Sequence, residues 1–182
     1  MLKVENLTVQ YLERTVIDEI SFSAAQNRWL MLVGPNGAGK STIVNAISGI
    51  VGYEGEISIC DENLLNLKPA ILAKKVGVLA QGHSVSYSFT VEEIVKMGRY
   101  SYRNGIFSSF GLENEDAVKT ALEMTGLSEL KNRSALTLSG GELQRTFLAQ
   151  VFAQDPKLLI LDEPANHLDL VYQEKTFELI KT

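Results

Sequence analysis

Trp29-Leu30-Met31-Leu32-Val33 is an unbroken apolar run. The glycine-rich stretch Gly34-Pro35-Asn36-Gly37-Ala38-Gly39-Lys40-Ser41 follows at once. From Lys40 to Ser48, the apolar residues Ile43, Val44 and Ile47 recur at helical spacing. A continuous apolar run of this length predicts a strand buried on both faces of a parallel sheet, unlike the alternating pattern of a half-exposed strand. Strand, tight turn and helix in direct succession therefore predict a layered α/β arrangement, with helices covering the sheet.

The rest of the chain fills in around that unit. Leu2, Val4, Leu7 and Val9 alternate with polar neighbours, and the pattern returns from Val16 to Phe22, which predicts two half-exposed antiparallel strands. Gly52 to Gly55 reads as a turn into a short strand, Glu56 to Cys60. Val76 to Ala80 and Leu158 to Leu161 read as further buried strands. Between about residues 83 and 135 the spacing is helical. Thr90-Val91-Glu92-Glu93 is a capping box that opens one helix with Val91, Ile94 and Val95 on its apolar side. Glu115 to Thr125 predicts a second, striped by Ala117, Val118, Ala121 and Leu122 and ended by Gly126 at C′. Ser139-Gly140-Gly141-Glu142 starts a third, with Leu143, Phe147, Leu148 and Val151 spaced for burial, and a last helix runs from about Leu170.

A chain of 182 residues with 45% hydrophobic content buries one sizeable core, so one domain with a subdomain is expected. The net charge of -5 argues against a dedicated nucleic-acid binder. The single cysteine, Cys60, excludes an intramolecular disulfide and suits a reducing cytoplasm; it is expected in a strand as a small buried apolar group. No stretch reaches the ~20 apolar residues needed to cross a bilayer, and the N-terminus lacks the features of a signal peptide. A membrane connection is expected to run through a partner protein.

Gly34 to Ser41 fits the P-loop pattern, two glycines separated by four residues and followed by lysine and serine. The glycines let several backbone N–H groups converge on phosphate oxygens, with the positive end of the next helix behind them. Gly34, Asn36, Gly37, Ala38 and Gly39 form the cradle. Lys40 supplies a point charge to the β- and γ-phosphates, Ser41 a hydroxyl to Mg²⁺, and Thr42 a donor to the α-phosphate. Leu158 to Leu161 ends in Asp162-Glu163, which places two carboxylates at the carboxyl edge of the sheet. Asp162 is the metal-side acid and Glu163 the group that polarises the attacking water.

Leu138-Ser139-Gly140-Gly141-Glu142, continuing Leu143-Gln144-Arg145, resembles the signature motif of ATP-binding cassette (ABC) ATPases, and it stands between the P-loop and the second acidic strand as it does there. Read from its residues alone, the same segment is a capping box, and both readings hold together. The resemblance implies a P-loop NTPase core with a mixed sheet, an N-terminal antiparallel β-subdomain and an inserted α-helical subdomain. The boundaries expected are 1–82 for the first part of the core, 83–135 for the helical subdomain and 136–182 for the remainder. It also implies that Ser139, Gly140 and Gly141 face nucleotide held by a second subunit. Two copies would then sandwich two Mg·ATP. Tyr11 occupies the place of the adenine-stacking aromatic, although a partly exposed strand tyrosine is the alternative. Gln81 matches the Q-loop glutamine, a contributor to catalysis and to the metal. Asn166-His167-Leu168-Asp169 matches the D-loop, where Asp169 could equally cap the last helix.

Thr90-Val91-Glu92-Glu93 leading to Met97-Gly98-Arg99-Tyr100 resembles the ATPases of importers for iron–siderophore, heme and vitamin B12, although Gly98 and Arg99 could simply end a helix. That branch implies a cytoplasmic subunit, peripheral on the membrane's inner face. It would dock on integral permease subunits around the Q-loop and residues 83–100, without inserting into the membrane or binding nucleic acid. The match stops short of the family's γ-phosphate histidine, because 19 residues follow Glu163 and neither His83 nor His167 stands in that context. The expectation is a chain truncated at its C-terminus, with weak hydrolysis and an open apolar sheet edge. Two other readings stay open: a soluble ABC ATPase not tied to transport, and a nucleotide-binding module with little hydrolysis.

Overall fold

In the computed structural model, the alternating N-terminal segment forms a hairpin, β1 (Leu2–Tyr11) and β2 (Arg14–Ala24), paired antiparallel. The structure describes residues 1–80, 85–102 and 111–162. Leu2 and Val4 are buried, and so are Leu7 and Val9, although a regular period-two strand puts even and odd residues on opposite faces. The conflict is resolved by a shift in register between Val4 and Leu7, with Asn6 at φ 49° and, across the hairpin, Glu19 at φ 43°. The amides at these irregularities find side chains instead of ladder partners. Asn6 N donates to Ser21 Oγ at 2.8 Å and Glu19 N to Thr8 Oγ1 at 3.0 Å.

The chain divides into two compact units, Met1–Val76 and Gly77–Thr182. The first adds α1 (Lys40–Ile47), β3 (Glu54–Ile59), β4 (Glu62–Asn63) and α2 (Pro69–Lys75). Its sheet has the order β2-β1-β3-β4, antiparallel throughout. Val4, Leu7, Val9, Ile57 and Ile59 are its most buried side chains. Each contributes about 1.5–3 kcal/mol through lost contact with water. Helix α1 buries Ile43, Ala46 and Ile47.

Two sequence expectations in this unit are corrected, and one helix is added. Trp29 to Val33 does not form a buried strand. It joins no ladder among the described residues, and Met31 and Val33 are 82% and 84% exposed. A strand buried on both faces needs layers packed on both, and the exposure of Met31 and Val33 shows that the described residues do not cover this run. Cys60 is not a buried strand residue. It sits half-exposed at φ 52° in the turn between β3 and β4, with Asp61 at φ 64° beside it. Helix α2 has no counterpart in the apolar pattern of the sequence; its local signals are Pro69 in the first turn and Lys74 and Lys75 in the last.

The second unit holds β5 (Val76–Leu79), which starts at the boundary, then α3 (Val91–Met97), α4 (Leu112–Met124), α5 (Gly140–Gln154) and β6 (Leu158–Leu161). Strands β5 and β6 form a two-stranded sheet. The capping box at Thr90 and the apolar face Val91, Ile94 and Val95 form as the spacing predicts. Helix α4 starts at Leu112, earlier than expected, and Gly126 follows its C-cap at φ 66°. The core joins Val91 and Val95, Val118, Ala121 and Leu122, Leu127, and Ala149 and Ala153. A second cluster sets Leu79 with Leu148 and Val151. Of the residues expected to be buried on α5, Leu148 and Val151 are, while Leu143 and Phe147 are half-buried. Strand β6 is half-buried along its whole length.

Among the described residues no helix is long and apolar enough to cross a membrane.

Candidate functional site: a glycine-rich loop and two helix entrances

The loop before α1 is built on two left-handed glycines, Gly37 at φ 81° and Gly39 at φ 89°. Gly37 has open space where a β-carbon would stand. Gly39 does not: a β-carbon there would lie 2.5 Å from Ile17 Cδ1 and 3.4 Å from Val16 Cγ1. Strand β2 thus closes directly over the loop. Ala38 N donates to Pro35 O at 3.2 Å, which tightens the turn around Asn36 and Gly37 at its exposed crest.

Gly39 is also the N-cap of α1, and a glycine has no side chain with which to cap the first-turn amides. Lys40 is partly buried and folds back across the loop, its Nζ donating to Gly34 O at 2.8 Å and Pro35 O at 3.0 Å. Ser41 is exposed and Thr42 half-buried at the head of the same helix. A helix N-terminus without a side-chain cap, a loop bent by glycines and a lysine held on that loop together fit a polyphosphate. Tyr11 ends β1 with 44% exposure, opposite Arg14.

In the second unit, Ser139 caps α5 in a closed capping box. Ser139 N donates to Glu142 Oε2 at 2.7 Å and Ser139 Oγ to the same oxygen at 2.8 Å, while Glu142 N donates to Ser139 Oγ at 3.3 Å. These bonds, from the Ser139 amide first and its hydroxyl second, hold the Glu142 carboxyl below its ordinary range, and Arg133 at 3.6 Å adds to the effect. Gly140 and Gly141 form the first turn behind the cap. Asp162 follows β6 directly, and its N donates to Leu79 O at 2.9 Å, which fixes the residue at the end of the β5–β6 pair. Gln81, Glu163, His83 and Asn166 to Asp169 lie outside the described residues, as does the helix expected from Leu170.

The structural roles of two sets of residues escaped the sequence reading. Val16 and Ile17 flank the loop glycine Gly39, and no local pattern says which strand residue a glycine will meet. Arg99, read as part of a Gly-Arg-Tyr segment, is only 8% exposed. Its Nε donates to Asn114 Oδ1 at 2.9 Å and its Nη1 to Ala153 O at 3.0 Å, and the guanidinium lies 3.6 Å from the centre of the Tyr102 ring. One buried cation thus ties the end of α3 to both α4 and α5.

The family model described as ABC transporter matches residues 17–166. The chain is 38% identical over 181 residues to the uncharacterized ABC transporter ATP-binding protein YvrA of Bacillus subtilis, covering 99% of this chain and 41% of that protein. It is 33% identical over 180 residues to the ferric enterobactin transport ATP-binding protein FepC of Escherichia coli, covering 98% of this chain and 66% of that one. Its fold matches the dimeric structure of MJ0796, a bacterial ABC transporter cassette, with TM-score 0.84 and 28% identity over 99% of this chain and 81% of that one. The chain therefore spans less than two thirds of the length of either of those two relatives. With an antiparallel sheet, a parallel sheet and helices arranged as an α/β P-loop NTPase, the chain belongs to the ABC transporter family.

Proposed function

We propose that the chain is the ATP-binding and ATP-hydrolysing part of an ABC importer of the iron–siderophore, heme or cobalamin type. The loop of Gly37, Gly39 and Lys40 at the uncapped head of α1 carries this reading. The branch is supported by the likeness to FepC, whose name gives ferric enterobactin transport, and by the Met97-Gly98-Arg99-Tyr100 segment.

In this reading the loop amides from Gly37 to Ser41 take the phosphates. Lys40 exchanges its carbonyl partners Gly34 and Pro35 for phosphate oxygens, and Tyr11 stacks on the base. Ser41, Gln81 and Asp162 would hold Mg²⁺, which neutralises charge on the phosphates. Glu163 orients and polarises the water that attacks the γ-phosphate in line, and catalysis comes mainly from positioning and electrostatics. Ser139, Gly140 and Gly141 of a second copy close the site; the likeness to the dimeric MJ0796 cassette supports a two-copy assembly. The exposed side chains Tyr87, Phe89, Met97 and Tyr100 of the second unit suit docking on a membrane permease from the cytoplasmic side.

Titration with Mg·ATP tests the proposal. Saturable binding is expected, with Lys40→Ala weakening it at least tenfold. Replacing Glu163 with Gln is expected to leave binding intact and to accumulate an ATP-bound dimer. Absence of binding in the parent chain, or a Lys40→Ala variant that binds as the parent does, refutes it. Binding without turnover would favour the non-hydrolysing module.

A further inference from the structure

The core face of the β1–β2 hairpin runs past the end of the core. Val9 and Ile17 pair across the hairpin and are 0% and 5% exposed. Two residues along β1 comes Tyr11, on the face of Val9 by the period of a strand, and Tyr11 pairs with Arg14. The register shifts between Val9 and Gln10, where β2 carries Val16 as an extra residue, so Arg14 keeps the face of Ile17 although three positions separate them. Directly paired residues share a face, so Tyr11 and Arg14 continue the face on which Ile17 meets Gly39 of the loop. There the packing stops. Tyr11 is 44% exposed and Arg14 is exposed. Among the described residues the Arg14 guanidinium has no hydrogen bond, ion pair or ring contact.

An aromatic ring and an unpartnered guanidinium side by side, on a face that leads to a phosphate-type loop, form an incomplete surface suited to an anionic aromatic ligand. Three residues of strand, about 10 Å, separate Arg14 from Ile17. This is the stretch a nucleoside would bridge between Tyr11 and the loop.

We propose that Arg14 is a further nucleotide-binding residue, a guanidinium beside Tyr11 that attracts and orients the phosphate-bearing ligand of the loop. The inference rests on the reading of Gly34 to Ser41 as an ATP site. Arg14 sets affinity and takes no part in the chemistry.

The test is calorimetric titration of the parent, Arg14→Gln, Arg14→Lys and Lys40→Ala chains with Mg·ATP at low and at moderate salt. Arg14→Gln is expected to weaken binding about fivefold at low salt and less at moderate salt, as for a partly exposed charge pair. Arg14→Lys is expected to keep most of the affinity and most of the salt dependence. An exposed side chain without partners leaves the melting temperature unchanged, so loss of fold does not confound the result. Equal affinity and equal salt dependence in the parent and Arg14→Gln, with Lys40→Ala still defective, would overturn this inference alone. A Lys40→Ala chain that binds like the parent would bring down the ATP-site reading and this inference with it.

Discussion

The backbone of Gly98, at the C-cap of α3, lies against the main-chain carbonyl of Gln150 in α5 so closely that a β-carbon at position 98 would overlap that oxygen. Its φ of -58° is ordinary, so glycine is needed here for space and not for conformation. Gly98→Ala must push α3 and α5 apart along a contact that also buries Val95 and Ala149. A loss of about 1–3 kcal/mol is expected, read as a lower urea midpoint with unchanged slope. A midpoint equal to the parent's would show that the helices separate without cost.

Arg99, the next residue, holds the same junction by hydrogen bonds. Arg99→Met keeps the apolar stem but leaves the Ala153 carbonyl and the Asn114 amide oxygen without this donor. About 2–4 kcal/mol of destabilisation is expected. Arg99→Lys should recover only part of it, because a single ammonium cannot reproduce two divergent donors and a planar stack on Tyr102. Equal stability of the Lys variant and the parent, in denaturant titrations run side by side, would count against this account.

Gly37 and Gly39 share a left-handed backbone but differ in surroundings, so their alanine variants should differ in kind. Gly37→Ala meets nothing and carries only the conformational cost of about 1–2 kcal/mol. Gly39→Ala also drives a methyl group into Ile17 and Val16 and must deform the loop. Mg·ATP titration is expected to show at least a tenfold affinity loss for Gly39→Ala and a clearly smaller one for Gly37→Ala. The reverse order would mean that the hairpin does not constrain the loop.

Glu142 links the cap of α5 to pH. Its folded carboxyl titrates below the ordinary value of 4.5 because the Ser139 amide and hydroxyl donate to the charged form. The stabilisation is therefore fully present above about pH 4.5 and fades as pH falls through the lower folded value. Glu142→Gln should be less stable than the parent at neutral pH, and the gap should close on acidification below 4.5. A gap that stays constant down to pH 3, followed by circular dichroism, would remove the carboxylate from the explanation.

Much of this molecule is legible in its one-dimensional pattern. Capping at Thr90 and Ser139, the stop at Gly126, the apolar face of α3 and the glycine spacing of the phosphate-type loop all depend on residues within a few positions of one another. Local chemistry is enough to specify them. The phase reversals at Asn6 and Glu19 could not be read that way, because the amide of each needs a hydroxyl acceptor from the opposite strand.

The same division holds for the site. Gly34 to Ser41 announces itself by spacing, and Asp162 by its place after an apolar strand. That Ile17 closes over Gly39 and that Arg99 is buried between helices were settled only when distant segments met. The exposed run from Trp29 to Val33 makes the point from the other side. Hydrophobicity states what a segment would gain by burial, but its side chains are buried only where other segments cover its faces, and those segments belong to other parts of the chain.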